Sequence, residues 1–310
     1  MDSLDDKYYD IYRKDKPLYY RRKVMLALLQ TFNKQLGNTE FQKYLFLYTR
    51  KQDTPAYDFV PYKFGCYSFQ SIFDREALIH HKILLNDKNS WTLISDVDFV
   101  SQLEDKDKNN LREIKEGFGN YSLNNLIKYI YEKYPYYAMR SEIASKYLHK
   151  AAHGESKAAV SEQAANSVYT IGYEGSSIEY YLNRLIKNDI KMVVDVRYNP
   201  LSMKKGFSKN LLKSVLNKMK IEYSHFHELG IPSILRQEYL KPNDTNHKEL
   251  FDLYKKEILP KNRSSLDKIV KLVGDYGKIA LTCFEKDFNY CHRSIIANFL
   301  CDSVNSPIHL

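Results

Sequence analysis

Cys283, Glu285, Cys291, His292 and Arg293 fall in one short stretch, after the apolar run 279–282 and before the apolar positions Ile295, Ile296 and Ala297. The pattern predicts a strand, a polar turn and the start of a helix. Free amides and the positive dipole end of a helix favour an anion or a thiolate, so reactive groups gathered there are electrostatically biased toward chemistry. Glu285, at a half-buried strand exit, suits general acid/base work or a nucleophilic role, because burial raises a carboxyl pKa; the alternatives are an ion pair with Arg293 or a cap on the next helix. Cys283 is either an activated thiol or a small core residue closing a strand. Cys291, His292 and Arg293 at a helix start suit a phosphate, with Arg293 offering two parallel donors. The C-x7-C-H spacing matches no common zinc pattern and has no second ligand pair, so neither a metal nor another cofactor is expected.

The elements that position these residues follow from periodicity. From Val168 onward short apolar runs alternate with helical patterns, which predicts βαβ units and a Rossmann-like, open, mainly parallel sheet flanked by helices. Strands are expected at 168–172, 192–196, 221–226 and 278–282, and helices start at Ser176 or Ser177, at Ser208, and near 247 and 264. Ligands of such sheets sit outside the carboxyl ends of the strands. The exits carry Tyr173 and Glu174, then Asp195, Arg197 and Ser202, then His225, His227 and Glu228, and last the Cys283 stretch. A single pocket on this rim is the expected site. In it Arg197 and Arg293 hold phosphate, while Glu174, Asp195, His227 and His292 position substrate; Asp195 and Arg197 forming only a fixed ion pair is the alternative. The dinucleotide fingerprint G-x-G-x-x-G is absent, leaving only Gly172 and Gly175 around Tyr173 and Glu174, and this argues against NAD chemistry.

The N-terminal half reads differently. Met25, Leu26, Leu28, Leu29 and Phe32 predict a helix ending near Gly37, and Phe41, Tyr44, Leu45, Leu47 and Tyr48 a second one capped by Asn38 or Thr39. A turn at Gly65, a helix from Ser68 through Leu78, and two short runs at 83–85 and 91–93 suggest a winged-helix-like module. Two further helical segments lie within 101–148. Tyr62, Lys63 and Tyr67 are candidate nucleic-acid contacts, or core residues of this module. The small, polar stretch 151–167, free of aromatics, divides an N-terminal domain (1–150) from a C-terminal one (168–310).

Both halves carry a resemblance. Thr170 to Gly175, Val194 to Ser202, Tyr223 to Gly230, and Leu281 to Glu285 followed by Cys291, His292 and Arg293 look like the bacterial domain of unknown function family 488, over roughly 168–302. Phe284 stands where that family often has a small residue, and Ile231 replaces the second glycine of its usual Leu-Gly-Gly. The resemblance implies a polar pocket of this make-up and no particular reaction. Phe41 to Tyr48 with Tyr57 to Ser68 weakly resembles the helical domain of a bacterial antitoxin and proteolysis-adaptor family, which implies a binding module.

Composition sets the wider bounds. A charge of +9 with 27 tyrosines favours polyanionic partners, DNA, RNA or a nucleotide, through phosphate attraction and base stacking; a solvated lysine-rich surface is the plainer account. Four cysteines are too few for a disulfide scaffold, and neither a spanning segment nor a signal peptide is evident, so the expected compartment is the cytoplasm, without a membrane partner. The expected function is a hydrolase or transferase acting on nucleic acid or a nucleotide without a metal, at a glycosidic bond, with phosphoester cleavage the open alternative. Defence against foreign DNA is one setting for such a bacterial protein. The alternative is a non-enzymatic DNA-binding regulator or sensor that recognises a nucleotide or modified base in the same pocket.

Overall fold

The computed structural model describes residues 18–148, 166–241, 244–301 and 305–310. In chain order the first elements are α1 (Tyr20–Thr31), β1 (Gln35–Gly37), α2 (Asn38–Thr49), β2 (Val60–Tyr62), β3 (Gly65–Tyr67), α3 (Phe69–His80), β4 (Ser90–Thr92), α4 (Asp105–Phe118) and α5 (Leu123–Lys133). Two compact units emerge, one from the chain up to Asp58 with Ser71–Tyr134, the other from Phe59–Gln70 with the chain from Pro135 on. The expected connection at 151–167 lies almost wholly outside the described residues.

The first unit is helical because α1 and α2 are buried on nearly every face, Val24 to Leu29 in one and Phe41 to Thr49 in the other. Phe41 stacks on Trp91 at 3.8 Å. Buried Asp74 accepts from Arg21 and Arg22 and from the Tyr57 hydroxyl, so the charge on α3 is neutralised where it meets α1. Asn33 and Lys34 take positive φ (60° and 66°), so α1 stops at Thr31 rather than near Gly37 and the chain turns into β1. That strand is the antiparallel partner of β4, while the expected ribbon between 83–85 and 91–93 comes down to one bridge, Leu84 to Leu93.

The second unit is built on a five-stranded sheet of order β11-β5-β10-β6-β7, parallel throughout. Its elements are β5 (Ser167–Gly172), α6 (Ile178–Lys187), β6 (Met192–Asp195), α7 (Lys209–Lys218), β7 (Glu222–His225), α8 (Ser233–Tyr239), β8 (Leu240–Lys241), β9 (Asp244–Thr245), α9 (His247–Leu253), α10 (Leu259–Lys261), α11 (Arg263–Tyr276), β10 (Lys278–Cys283), α12 (His292–Leu300) and β11 (Asn305–His309). This is the Rossmann-like α/β class expected from the alternating pattern. Ser177 caps α6 through the Tyr180 amide at 3.0 Å. The hairpin β2–β3 belongs to this unit: the Asn183 side chain donates to Phe59 O, and Glu179 of α6 accepts from Ser68 Oγ and Gln70 N.

Strand alternation sorts the sheet residues onto two faces. Val168, Met192, Val194, Ile279 and Leu281 pack with Leu266, Ile269 and Val273 of α11 and Ile296, Ala297 and Leu300 of α12. Tyr169, Ile171, Val193 and Thr282 point the other way, where Tyr181 of α6 donates to the Thr282 hydroxyl at 3.0 Å. Cys283 pairs with Gly172, and Asp195 with both Thr282 and His225, so β5, β10, β6 and β7 end nearly level.

Candidate functional site

Level strand ends and opposite faces together decide which rim residues can meet. Asp195 shares the Val193 face and Cys283 the Leu281 face, so the expected single pocket separates into two clusters on opposite sides of the sheet.

The cluster on the α6 side is a closed, buried network. Arg197 grips Asp195 with Nε to Oδ1 at 2.8 Å and Nη2 to Oδ2 at 2.5 Å, and its Nη1 donates to the Tyr173 hydroxyl and to Phe207 O. Tyr223 donates to Asp195 Oδ2 at 2.7 Å, and His225 Nε2 meets Arg197 O at 2.8 Å. Burial works against the Arg197 charge, but the bonds and attraction of Asp195 outweigh it and hold the guanidinium pKa above its ordinary value. Burial, and then the same carboxylate, push the Tyr223 hydroxyl up. Arg197 is buried, and its donors are directed at protein partners. The plainer of the two sequence readings, a fixed ion pair, is the arrangement found.

On the opposite face the chemistry is more open. Cys283 Sγ lies 3.0 Å from Glu285 Oε2, and the other carboxylate oxygen of Glu285 receives Arg236 Nη1 at 3.1 Å. His292 Nδ1 stands 4.0 Å from Cys283 Sγ and 4.0 Å from Cys291 Sγ, while its Nε2 meets Val196 O at 2.9 Å. Tyr254 closes the floor, its ring 5.5 Å from the imidazole and its hydroxyl donating to Leu229 O. Cys283, Cys291 and His292 are buried, and the side chains of Glu285 and Arg236 reach solvent at 21% and 33% exposure, so these two form the mouth.

Electrostatics differentiate the two thiols. A hydrogen bond from Cys291 is the largest influence on Cys283; burial opposes it, His292 and Arg236 reinforce it, and the pKa falls well below the ordinary thiol value. Burial and the neighbouring Cys283 drive Cys291 well above. His292 is lowered by burial, but the attraction and hydrogen bond of Cys283 win and raise it. Glu285 is raised by burial first and by Cys283 second, with Arg236 opposing. The site therefore sets a thiol of lowered pKa beside an imidazole of raised pKa, with a carboxyl of raised pKa at the mouth.

The backbone fixes this loop closely. Gly172 has no room for a side chain, because a Cβ there would lie 1.9 Å from Glu285 O. Arg293, fully buried, donates to Glu285 O at 2.6 Å and Lys286 O at 3.1 Å. Where a phosphate grip was expected, its Nη1 and Nη2 are aimed at two carbonyls of its own loop. Nor does it pair with the Glu285 carboxylate, whose arginine is Arg236. Glu174 is exposed and accepts the Lys286 amide at 2.9 Å, joining the β5 exit to the β10 exit. Ser202 shapes the following loop, with its amide on Ser208 Oγ and its hydroxyl accepting Lys204 N. His227 is exposed, paired with Glu228 at 3.2 Å, and has ring neighbours in His225 and Tyr198. Tyr62 and Tyr67 are half-buried and pack on each other and on Phe69, while Lys63 is exposed and its carbonyl accepts Glu142 N.

Arg236 is the functional residue that sequence patterning misses. It sits on short α8, outside every strand exit, and no motif marks it. Only its approach to Glu285 in three dimensions reveals it.

Fold and rim together define an open parallel α/β unit with a thiol, carboxyl and imidazole site at the carboxyl ends of its strands. Residues 177–300 of this unit match the family model described as Domain of unknown function DUF488. Searches of curated proteins and of solved structures give no match. Among the described residues no helix is long and apolar enough to cross a membrane.

Proposed function

We propose that the second unit is a hydrolase or transferase acting on a nucleotide or nucleic acid at a glycosidic bond, with Glu285 supplying the reacting carboxyl. One observation carries this reading: the Glu285 carboxyl stands at the mouth between Cys283 Sγ and Arg236, and burial with Cys283 raises its pKa. A carboxyl whose pKa is raised is better suited to protonate a departing base and, once ionised, to assist or deliver the attack on the sugar carbon. Arg236 orients it and offers the remaining donors of its guanidinium to an anionic substrate. The overall charge of +9 attracts such a substrate. In the same reading the helical unit, read from the sequence as winged-helix-like, supplies the nucleic-acid contact.

Single-turnover incubation with nucleotides, single- and double-stranded DNA, and RNA, followed by chromatography for released base or transferred sugar, tests it. Wild type is expected to convert one of these, and Glu285→Gln to lose about 10²–10⁴-fold in rate with folding retained. A tight ligand that both proteins bind and neither converts would replace the enzyme with a binding module.

A further inference from the structure

Common zinc spacings present their ligands from one local knuckle. Here a strand end and a helix start, separated in sequence, converge instead. Cys283 Sγ, Cys291 Sγ and His292 Nδ1 all lie within 4.8 Å of one another, and each sulfur is 4.0 Å from the ring nitrogen. Zinc–sulfur bonds of about 2.3 Å and zinc–nitrogen bonds of about 2.0–2.1 Å at tetrahedral angles place sulfur and nitrogen about 3.6 Å apart. The triad thus needs to contract by about 0.4 Å per sulfur–nitrogen pair to close on the ion.

The surroundings fit a metal in three further ways. The His292 Nε2 contact with Val196 O at 2.9 Å puts the ring proton on that nitrogen and turns the Nδ1 lone pair toward the sulfurs, the outer-shell bond that ligating histidines make. Two sulfurs and one imidazole are a donor set that selects zinc over harder cations. The Glu285 carboxylate, 3.0 Å from Cys283 Sγ but outside the mutually close triad, stands beside the remaining side with Arg236.

We infer that Cys283, Cys291 and His292 form a zinc site with three protein ligands, its fourth position open toward Glu285. Open three-ligand sites of this kind hold water or substrate rather than a fourth side chain. The inference does not rest on the proposed reaction, since loading is measured without substrate.

The test uses the full chain, reduced, stripped with a chelator and titrated with zinc alone or with cobalt as a visible reporter. One zinc per chain by elemental analysis, and the intense visible bands of four-coordinate, thiolate-bound cobalt, are expected. Cys291→Ser and His292→Ala should lose stoichiometric loading, whereas Cys301→Ser and Glu285→Gln should keep it. If Cys291→Ser does not fold, zinc protection of Cys283 and Cys291 from alkylation in wild type, with Cys301 unprotected, gives the same support. Absence of loading in reduced wild type, loading that survives Cys291→Ser, or alkylation of Cys283 and Cys291 unchanged by zinc would overturn it.

Discussion

Replacing Arg197 by alanine separates an internal strut from a substrate grip. The change removes the bidentate partner of Asp195 and two further donated bonds, to Tyr173 and Phe207 O, while the Asp195 carboxylate stays buried. Stranding one member of a buried ion pair costs about 3–5 kcal/mol, because the remaining charge is left without compensation. Tyr223 still donates to Asp195, so the lower end of that range is expected for Arg197→Ala, and removing the hydroxyl with Tyr223→Phe should cost about 1.5–3 kcal/mol. Replacing the pair together, Asp195→Leu with Arg197→Met, removes both charges and should recover most of the loss. Urea unfolding followed by far-UV circular dichroism reads the loss. An Arg197→Ala protein within about 1 kcal/mol of wild type would refute the strut, since a buried broken pair cannot be that cheap.

Three other expectations follow from particular contacts. Gly172→Ala forces a Cβ onto Glu285 O and should destabilise the second unit by about 1–3 kcal/mol, read from the same urea curves; an unchanged midpoint would mean the loop can yield. At Glu228, burial raises the carboxyl, but the Ser265 hydrogen bond and His227 outweigh it, so its pKa is depressed. The resulting stability is present above the unfolded value near 4.5 and is lost as pH falls through the lower folded value, so the melting temperature of wild type should drop more steeply below that pH than that of Ser265→Ala, and parallel curves would contradict it. Mass-spectrometric timing of alkylation in the native, metal-free protein should find Cys301 modified first, because it alone among the cysteines is partly exposed; earlier labelling of Cys283 would show that the loop opens faster than its packing implies.

Much of the sheet was legible because its strands are short apolar runs between amphipathic helices, and strand ends are where loops with polar residues must begin. The strand β11 was not. Its sequence holds Asn305, Ser306 and Pro307, and proline cannot donate to a ladder, so the pairing with β5 shifts register between Asn305 and Ile308. Such an edge strand has no periodic signal to find. Site residues were readable as residues at strand exits, but their assignment to one pocket was not, since it depends on which face each exit side chain takes. One residue of offset in parity sends Asp195 and Cys283 to opposite sides of a sheet whose ends are level. Arg236 was invisible for a different reason: a short helix between loops carries no pattern linking it to Glu285.

The clamp that Arg293 and Gly172 place on residues 285 and 286 has a consequence for how this site can diversify. Both the thiol-bearing strand end and the carboxyl are pinned through main-chain atoms, so altering them means rebuilding the loop rather than exchanging a side chain. Arg236, by contrast, is carried on α8, a segment of about two turns with no fully buried residue of its own. Leu235 and Tyr239 lean on the core, but change at exposed Ser233, Ile234, Gln237 or Glu238 disturbs little packing while it can re-aim the cation beside Glu285. Variation in substrate preference among chains sharing this rim is therefore expected to collect in the segment around Arg236, with the cysteine loop inherited intact.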